Sequence, residues 1–397
     1  MISFLILKEY QWTLLFYSAI MLIIYLNKEK LTQEGIAFLL RTKLGLNLMD
    51  KISSKHRKFV KFIGYIAIVF AYLGFFVFLY LLYPMVRDTL LGTNDLPGAG
   101  PAVPGFEIAG TGIKIPLIIG WIALLVIMIV HEFSHGVVAR AHKQKVRSSG
   151  VGVVGPFPVA FVELDEETIA KQPHKIQHSI FAAGPFSNIL LFLVCLGLMF
   201  GAIQLDGMIT KNHGVLINPI MNETLPAYAA GLSEGSIVTN VNGEEIFILK
   251  DLEIVLDKLK PGDDANLTLD SGEFFSIKTI SNPTNHSRAY VGIWILGNNI
   301  IVPNNNHKIL HSILIWLIEL FWWTWFLSIN IGLFNLFPIF ITDGARMLKL
   351  NIDYLVKDKK KSNYIWMFIN YLGLLVLFIL LWNFLSGVIM SIFSIFF

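Results

Sequence analysis

Long uninterrupted apolar stretches, separated by shorter polar and basic ones, dominate the chain. Six of them approach the roughly 20 residues that cross a bilayer: residues 10–26, 59–83, 115–135, 179–203, 310–335 and 363–397. The last reads either as one long tilted helix or as a helix with an interfacial tail. In hydrocarbon every backbone polar group must be satisfied internally, so the pattern predicts an α-helical polytopic membrane protein with about six transmembrane helices. Two segments break it. Residues 151–162 are apolar but interrupted by Gly and Pro, which excludes a spanning helix and predicts a membrane-associated β-hairpin beside protein or a water-filled cavity. Residues 204–300 replace long runs with charges, Asn, Gly and short alternating apolar stretches, as expected of a water-exposed, β-rich inserted domain.

Composition agrees: 55% of residues are hydrophobic and 15% charged, with a mean hydropathy of +0.63. The net charge of +3 is spread over connecting segments, which leaves no nucleic-acid footprint. Lys and Arg concentrate in residues 27–57, 140–175 and 346–361. By the positive-inside rule these face the cytoplasm, while residues 84–114, residues 204–308 and both termini face outward. Lys28 and Lys30 follow the first span closely and no small-x-small cleavage pattern precedes them, so that span is expected to be retained. The single cysteine, Cys195, lies in the fourth span; it excludes an intrachain disulfide and a cysteine metal cluster, and is expected to serve packing.

Within the insertion, the segment from Glu223 through Gly231-Leu232, Gly235 and a short strand to Asn242-Gly243 resembles the PDZ pattern of helix, Gly-Leu, turn, strand and hairpin turn. Asn-Gly is a strong hairpin signal because both turn positions need positive φ. Leu252, Val255, Leu256 and Leu259 then recur at helical spacing. In a PDZ domain such a helix and a neighbouring strand border a groove that takes an extended peptide by strand addition. The chain therefore divides into residues 1–114 (two helices and a basic loop), 115–203 (first half of a core), 204–300 (PDZ-like domain), 301–349 (second half of the core) and 350–397 (a C-terminal helix).

His131-Glu132-Phe133-Ser134-His135 closes the third apolar run. Histidines four apart share one helix face, so both imidazoles can reach one metal, and the adjacent glutamate can act on water. Such residues are costly at membrane depth without a function. Catalytic zinc takes three protein ligands and keeps a fourth position open. Val138 and Ala141 stand where a metzincin would have its glycine and third histidine, so the third donor comes from Glu163, Asp165, Glu166, Glu167, Glu319 or Asp343. Asp343 is preferred, because it follows Pro338, which ends the fifth span and frees backbone groups. Its depth matches too: His131 lies roughly 24 Å from the outer end of its run at 1.5 Å per residue, and Asp343 follows a span of the same direction.

Together, His131–His135 and the Asn335, Pro338, Asp343 and Gly344 of Asn335-Leu-Phe-Pro-Ile-Phe-Ile-Thr-Asp-Gly344 resemble the paired signatures of the site-2 protease family of intramembrane zinc metalloproteases. The resemblance covers residues 115–349 and extends to an inserted PDZ domain and to a Gly-Pro-x-x-Asn element, here Gly184-Pro185-Phe-Ser-Asn188. Thr342 departs from the Leu found in many members; its hydroxyl can hydrogen-bond a ligating carboxylate. The resemblance implies that His131, His135 and Asp343 hold Zn2+ and that Glu132 is the general base. It implies that Asn335 orients the substrate or its oxyanion, that Asn188 lines the site, and that the substrates are transmembrane proteins cut within the bilayer. No feature fixes the oligomeric state or the role of the outer spans. The rival class is a non-catalytic receptor or scaffold with a structural metal and a peptide-binding domain; a transporter would be favoured by inverted repeats, and none is evident in the sequence. Glu319 lies roughly 15 Å inside the fifth span at 1.5 Å per residue, but Trp322, Trp323 and Trp325 beside it suggest a helix not deep in lipid, so it is read as a packing or lining group; His174 and His178 are read as solvated.

Overall fold

The computed structural model describes residues 2–93, 100–108, 111–155, 157–217, 225–233, 235–283, 285–292, 299–303 and 305–396. It divides into two compact units, residues 1–199 with 318–397, and residues 200–317.

The first unit opens with α1 (Ile2–Asn27), a hairpin of β1 (Thr32–Glu34) and β2 (Ala37–Thr42), a short α2 (Leu46–Lys55) and α3 (Arg57–Leu91). A small ribbon, β3 (Glu107–Ile108) and β4 (Ile113–Lys114), leads into α4 (Leu117–Ala141). There follow β5 (Val146–Val154), β6 (Phe157–Leu164), α5 (Glu166–Ala170) and α6 (His174–Ile209), the last running into the second unit. The predicted hairpin at residues 151–162 is thus β5–β6, extended at both ends. It belongs to a four-stranded antiparallel sheet of order β1-β2-β5-β6, which leaves β6 at an edge. Gly150 and Gly152 let β2 approach, since a Cβ at either would meet the backbone oxygen of Leu40 at 2.2 Å or of Phe38 at 2.8 Å.

The second unit carries β7 (Thr210–Leu216), α7 (Pro226–Ala229), β8 (Ile237–Val241), β9 (Glu244–Glu245), α8 (Leu249–Asp257), β10 (Asp264–Leu269), β11 (Phe274–Lys278), β12 (Ile280–Ser281), β13 (Ala289–Tyr290) and β14 (Asn299–Pro303). Its main sheet runs β11-β10-β8-β7-β14, with β9 on β8. Asn242 and Gly243 take φ of 51° and 86° between β8 and β9, the paired positive angles of a type I′ hairpin. Leu252 and Val255 of α8 bury against Val215, Val238 and Leu267 of the sheet. Of the PDZ-like segment, Glu223, Thr224 and Glu234 lie outside the described residues.

The chain then forms α9 (Lys308–Phe334), which returns to the first unit, α10 (Asp343–Leu355) and α11 (Lys359–Phe396). Among the described residues six helices, α1, α3, α4, α6, α9 and α11, are long and apolar enough to cross a membrane. The protein is a polytopic membrane protein with a β-rich insertion.

α3 braces both halves of the core, a role its sequence alone leaves open. Gly64, Ala67, Ala71 and Gly74 form a buried stripe of small residues, which allows close helix approach. A Cβ on Gly64 would stand 3.1 Å from Val138 of α4, and one on Gly74 would stand 2.7 Å from Leu336 beyond α9. α11 packs against α10 and the connection that precedes it: Trp366 donates its indole N–H to the Ala345 carbonyl of α10 at 3.0 Å, and Phe337 and Ile339 pack on Leu380.

Candidate metal centre

On α4 the i, i+4 spacing places His131 and His135 on one buried face, 8% and 5% exposed, while Glu132 beside them is half-buried. The His135 Nδ1–H donates to the Ile180 carbonyl of α6 at 2.7 Å. That bond fixes the tautomer and leaves Nε2 as a lone pair facing the site. His131 Nδ1 has no hydrogen-bond partner among the described residues.

Asp343 arrives through a tight connection. After α9 ends at Phe334, residues 335–342 fold back on themselves, and the Gly344 N–H donates to the Asn335 carbonyl at 2.8 Å. Only glycine fits there, because a Cβ on Gly344 would lie 1.9 Å from the Leu336 oxygen. Thr342 caps α10, its hydroxyl accepting from the Ala345 N–H at 3.3 Å and donating to a carbonyl of the same turn. The hydroxyl is therefore engaged by the cap rather than by the Asp343 carboxylate, contrary to the sequence-based expectation. Burial alone would raise the Asp343 carboxyl, but His135 and His131 outweigh it and hold the group well below the ordinary carboxylate range, so an anion faces the two rings.

Asp343 Oδ2 stands 3.1 Å from His131 Nε2 and 3.2 Å from His135 Nε2, and the two nitrogens are 3.2 Å apart. Adjacent donors of a tetrahedral shell with bonds of about 2.0–2.1 Å are separated by about 3.3–3.4 Å. The donor triangle therefore has the size and chemistry for a zinc-like cation, with room for a fourth, open position. The space is kept by Gly184 of α6, where a Cβ would sit 2.3 Å from His135 Nε2 and 2.5 Å from His131 Nε2.

The three donors and Glu132 open on a cavity of about 600 Å³. One wall is β6, from Phe161 to Leu164, and the rim carries Arg147, Arg346, Glu166 and Glu167. The Val162 N–H, on the edge of β6 that pairs with no strand among the described residues, donates to Glu132 Oε2 at 3.1 Å. Arg346 of α10 reaches Glu166 of α5 at 3.4 Å across the mouth.

Other sequence-predicted residues fall as follows. Asn335 lines the cavity. Asn188 does not: it is fully buried between α6 and α9, with Gly332 leaving room for its Cβ and its side-chain amide unpartnered among the described residues. Of the alternative donors, Glu163 is held by Ser148 and Arg41, and Asp165 by Arg147 and the cap of α5. Glu319 is exposed on α9 and lines no part of the cavity. Cys195 is buried. His178, expected to be solvated, is instead buried and bonded to Asn351 of α10 at 3.1 Å, because α6 begins a full turn earlier than its apolar run and carries the residue into the core. Sequence reasoning missed the part of Gly184 in the site; the Gly-Pro pair marked the element but not which residue faces the rings.

The chain is similar over 332 residues, at 30% identity, to an uncharacterized protein from Methanocaldococcus jannaschii, covering 83% of this chain and 81% of that protein. A solved PDZ domain of an SdrC-like protein from Listeria innocua matches 22% of this chain and 97% of its own length at 21% identity, with a TM-score of 0.19. Residues 119–380, which contain the donor triangle, Glu132 and the turn that delivers Asp343, match peptidase family M50. The chain belongs to peptidase family M50, the site-2 protease family, and is a membrane metalloprotease of a family of zinc enzymes.

Proposed function

We propose that this protein is a zinc-dependent intramembrane endopeptidase that hydrolyses peptide bonds in the transmembrane segments of membrane-anchored proteins, in the manner of regulated intramembrane proteolysis. The observation that carries this reading is the buried triangle of His131, His135 and Asp343 beside Glu132, its two histidines on the membrane-length α4 and its carboxylate at the start of α10, opening onto an edge of β6 that pairs with no strand among the described residues. His131, His135 and Asp343 would hold the zinc. When bound, zinc supplies Lewis acidity that stabilises developing negative charge on the scissile carbonyl and acidifies water. Glu132 takes a proton from the attacking water and passes it to the leaving amine. Asn335, on the cavity wall, orients the substrate backbone or its oxyanion. Asn188 takes a packing role, which is where its burial between α6 and α9 leaves it.

An intact substrate helix hides its peptide bonds in its own hydrogen bonds, so the segment must unwind before attack. The free edge of β6 offers the replacement partners, an added strand pairing along Phe161 to Leu164. A substrate carbonyl that takes over the Val162 N–H also releases Glu132, which that N–H holds; docking and delivery of the base are thereby coupled. The basic connecting segments support a cut toward the cytoplasmic side, by the positive-inside rule, with the PDZ-like insertion on the opposite side of the bilayer as the proposed site of a peptide ligand.

The test is cleavage of a reporter bearing one transmembrane segment by the purified protein in proteoliposomes. Cleavage should stop with a zinc chelator, return with added zinc, and fall by a factor of about 10²–10⁴ in Glu132→Gln while zinc content is kept. Cleavage by Glu132→Gln at the parent rate would refute the mechanism.

A further inference from the structure

Away from the metal centre, a second bowl of about 490 Å³ lies where α3 begins and α4 ends. Its lining brings together Lys51 of α2, Arg57 of α3, Arg140 of α4, and Lys143 and Lys145 of the following turn. Asp50 is the one acid among its lining residues, and it already stands 3.3 Å from Arg140 Nε. Lys51, Arg57 and Lys143 are exposed and have no ion-pair partner among the described residues. The first turn of α3 adds its N–H groups, since His56 places no side-chain cap on them, and a helix N-terminus favours an anion.

We propose that this bowl seats the phosphate of an anionic phospholipid whose acyl chain runs along the apolar groove on the same helices. That groove, about 210 Å³, is lined by Phe59, Val60 and Gly64 of α3, Phe133 and Val137 of α4, and Phe186 of α6. Two side-chain stripes lead from it to the bowl: Ala67, Gly64, Val60 and Arg57 on α3, and Phe133, Val137 and Arg140 on α4. Each follows the three- and four-residue spacing of one helix face. α3 begins and α4 ends at this level, and basic residues at the end of a span sit at headgroup level, so a lipid can present its phosphate to the bowl with its tail in the groove. A soluble phosphate compound would use the bowl alone and give the groove no occupant.

Lys143 supplies an independent sign of use. α4 closes by bonds from the Gln144 N–H to the Ala139 carbonyl and from the Lys143 N–H to the Arg140 carbonyl, each 2.9 Å, the pattern whose left-handed position glycine normally fills. Here it holds a lysine at φ 62°. The strained backbone is retained where it aims a cation into the bowl, and such outliers cluster at functional positions.

The test uses the full-length protein in detergent, with native mass spectrometry of bound dioleoylphosphatidylglycerol against dioleoylphosphatidylcholine. The expected result is at least about tenfold preferential retention of the anionic lipid, as a cluster of cations near a lipid surface gives. The preference should fall severalfold in Lys143→Gly and further with Arg57→Gln added. Lys143→Gly accepts the backbone angle without strain, so its thermal unfolding should match or exceed that of the parent, separating loss of the seat from loss of the fold. Val137→Trp, which fills the groove, should also lower retention. Equal retention of the two lipids, or an unchanged preference in these variants, would overturn the proposal. So would displacement of the lipid by millimolar inorganic phosphate, which would assign the bowl to a soluble phosphate compound. The outcome is independent of the protease reading, since none of these residues belongs to the metal centre.

Discussion

Replacing Gly184 by alanine should abolish metal binding without harming the fold. The added Cβ would stand 2.3 Å from His135 Nε2, 2.5 Å from His131 Nε2 and 2.7 Å from His131 Cε1. Ordinary contacts to carbon begin near 3.5 Å, so each ring must retreat by about 1 Å, whereas ligand distances tolerate about 0.2 Å. Two of three donors would leave range together. Loss of even one supporting contact to a ligand costs 10–100-fold in metal affinity, so the zinc Kd should rise by more than about 100-fold, or about 2.7 kcal/mol. Alanine is favoured over glycine inside a helix by about 0.5–1 kcal/mol, and Gly184 lies within α6, so the metal-free variant should unfold at or above the temperature of the metal-free parent. The assay is zinc per chain after dialysis against a zinc buffer, paired with thermal unfolding. A Gly184→Ala protein that retains zinc with the parent's affinity would refute the idea that this glycine keeps the metal's space.

Removing a donor should act through the metal alone: His135→Ala and Asp343→Ala are each expected to lower bound zinc to a small fraction of the parent's by elemental analysis. Gly344→Ala should cost about 3 kcal/mol or more, because its Cβ would overlap the Leu336 carbonyl oxygen; the readout is a lower unfolding temperature together with lost zinc. Val162→Pro deletes the N–H that holds Glu132 and that an added strand would use, so reporter cleavage should show a raised KM with zinc unchanged. Glu163 titrates below its ordinary value of 4.5, chiefly through the Ser148 hydrogen bond and against its burial, with Arg41 adding to it. Its contribution is thus present above about pH 4.5 and lost as pH falls through the lowered value. The unfolding temperatures of the parent and Glu163→Gln should converge in acid and separate above it.

The legible parts of this protein are those whose physics is local. Six apolar runs announced six helices, because a bilayer imposes length and composition on each span separately. His131 and His135 were legible as a pair because helix geometry alone puts residues four apart on one face. Asn242-Gly243 fixed its hairpin because the turn demands positive φ. What sequence left hidden depends on approach between distant segments. β1 and β2, residues 32–42, lie in a basic stretch read as a loop; β2 becomes a strand by pairing with β5, more than a hundred residues on, and β1 by pairing with β2. Gly184 acts through the rings of residues 49 and 53 positions earlier, and nothing in a helical glycine's own neighbourhood states that. His178 was misjudged for a related reason: the charges around it describe its neighbours in the chain, while its burial is set by Asn351 and Tyr72 from other helices.

The account rests on one zinc held by two imidazoles and the carboxylate of Asp343, and zinc K-edge X-ray absorption of the purified, zinc-loaded protein tests that most directly. It should give a shell of two imidazole nitrogens and light oxygen donors at about 2.0–2.1 Å, with Asp343→Ala losing the carboxylate contribution. A parent shell without imidazole scattering, or one identical in the Asp343→Ala protein, would contradict it.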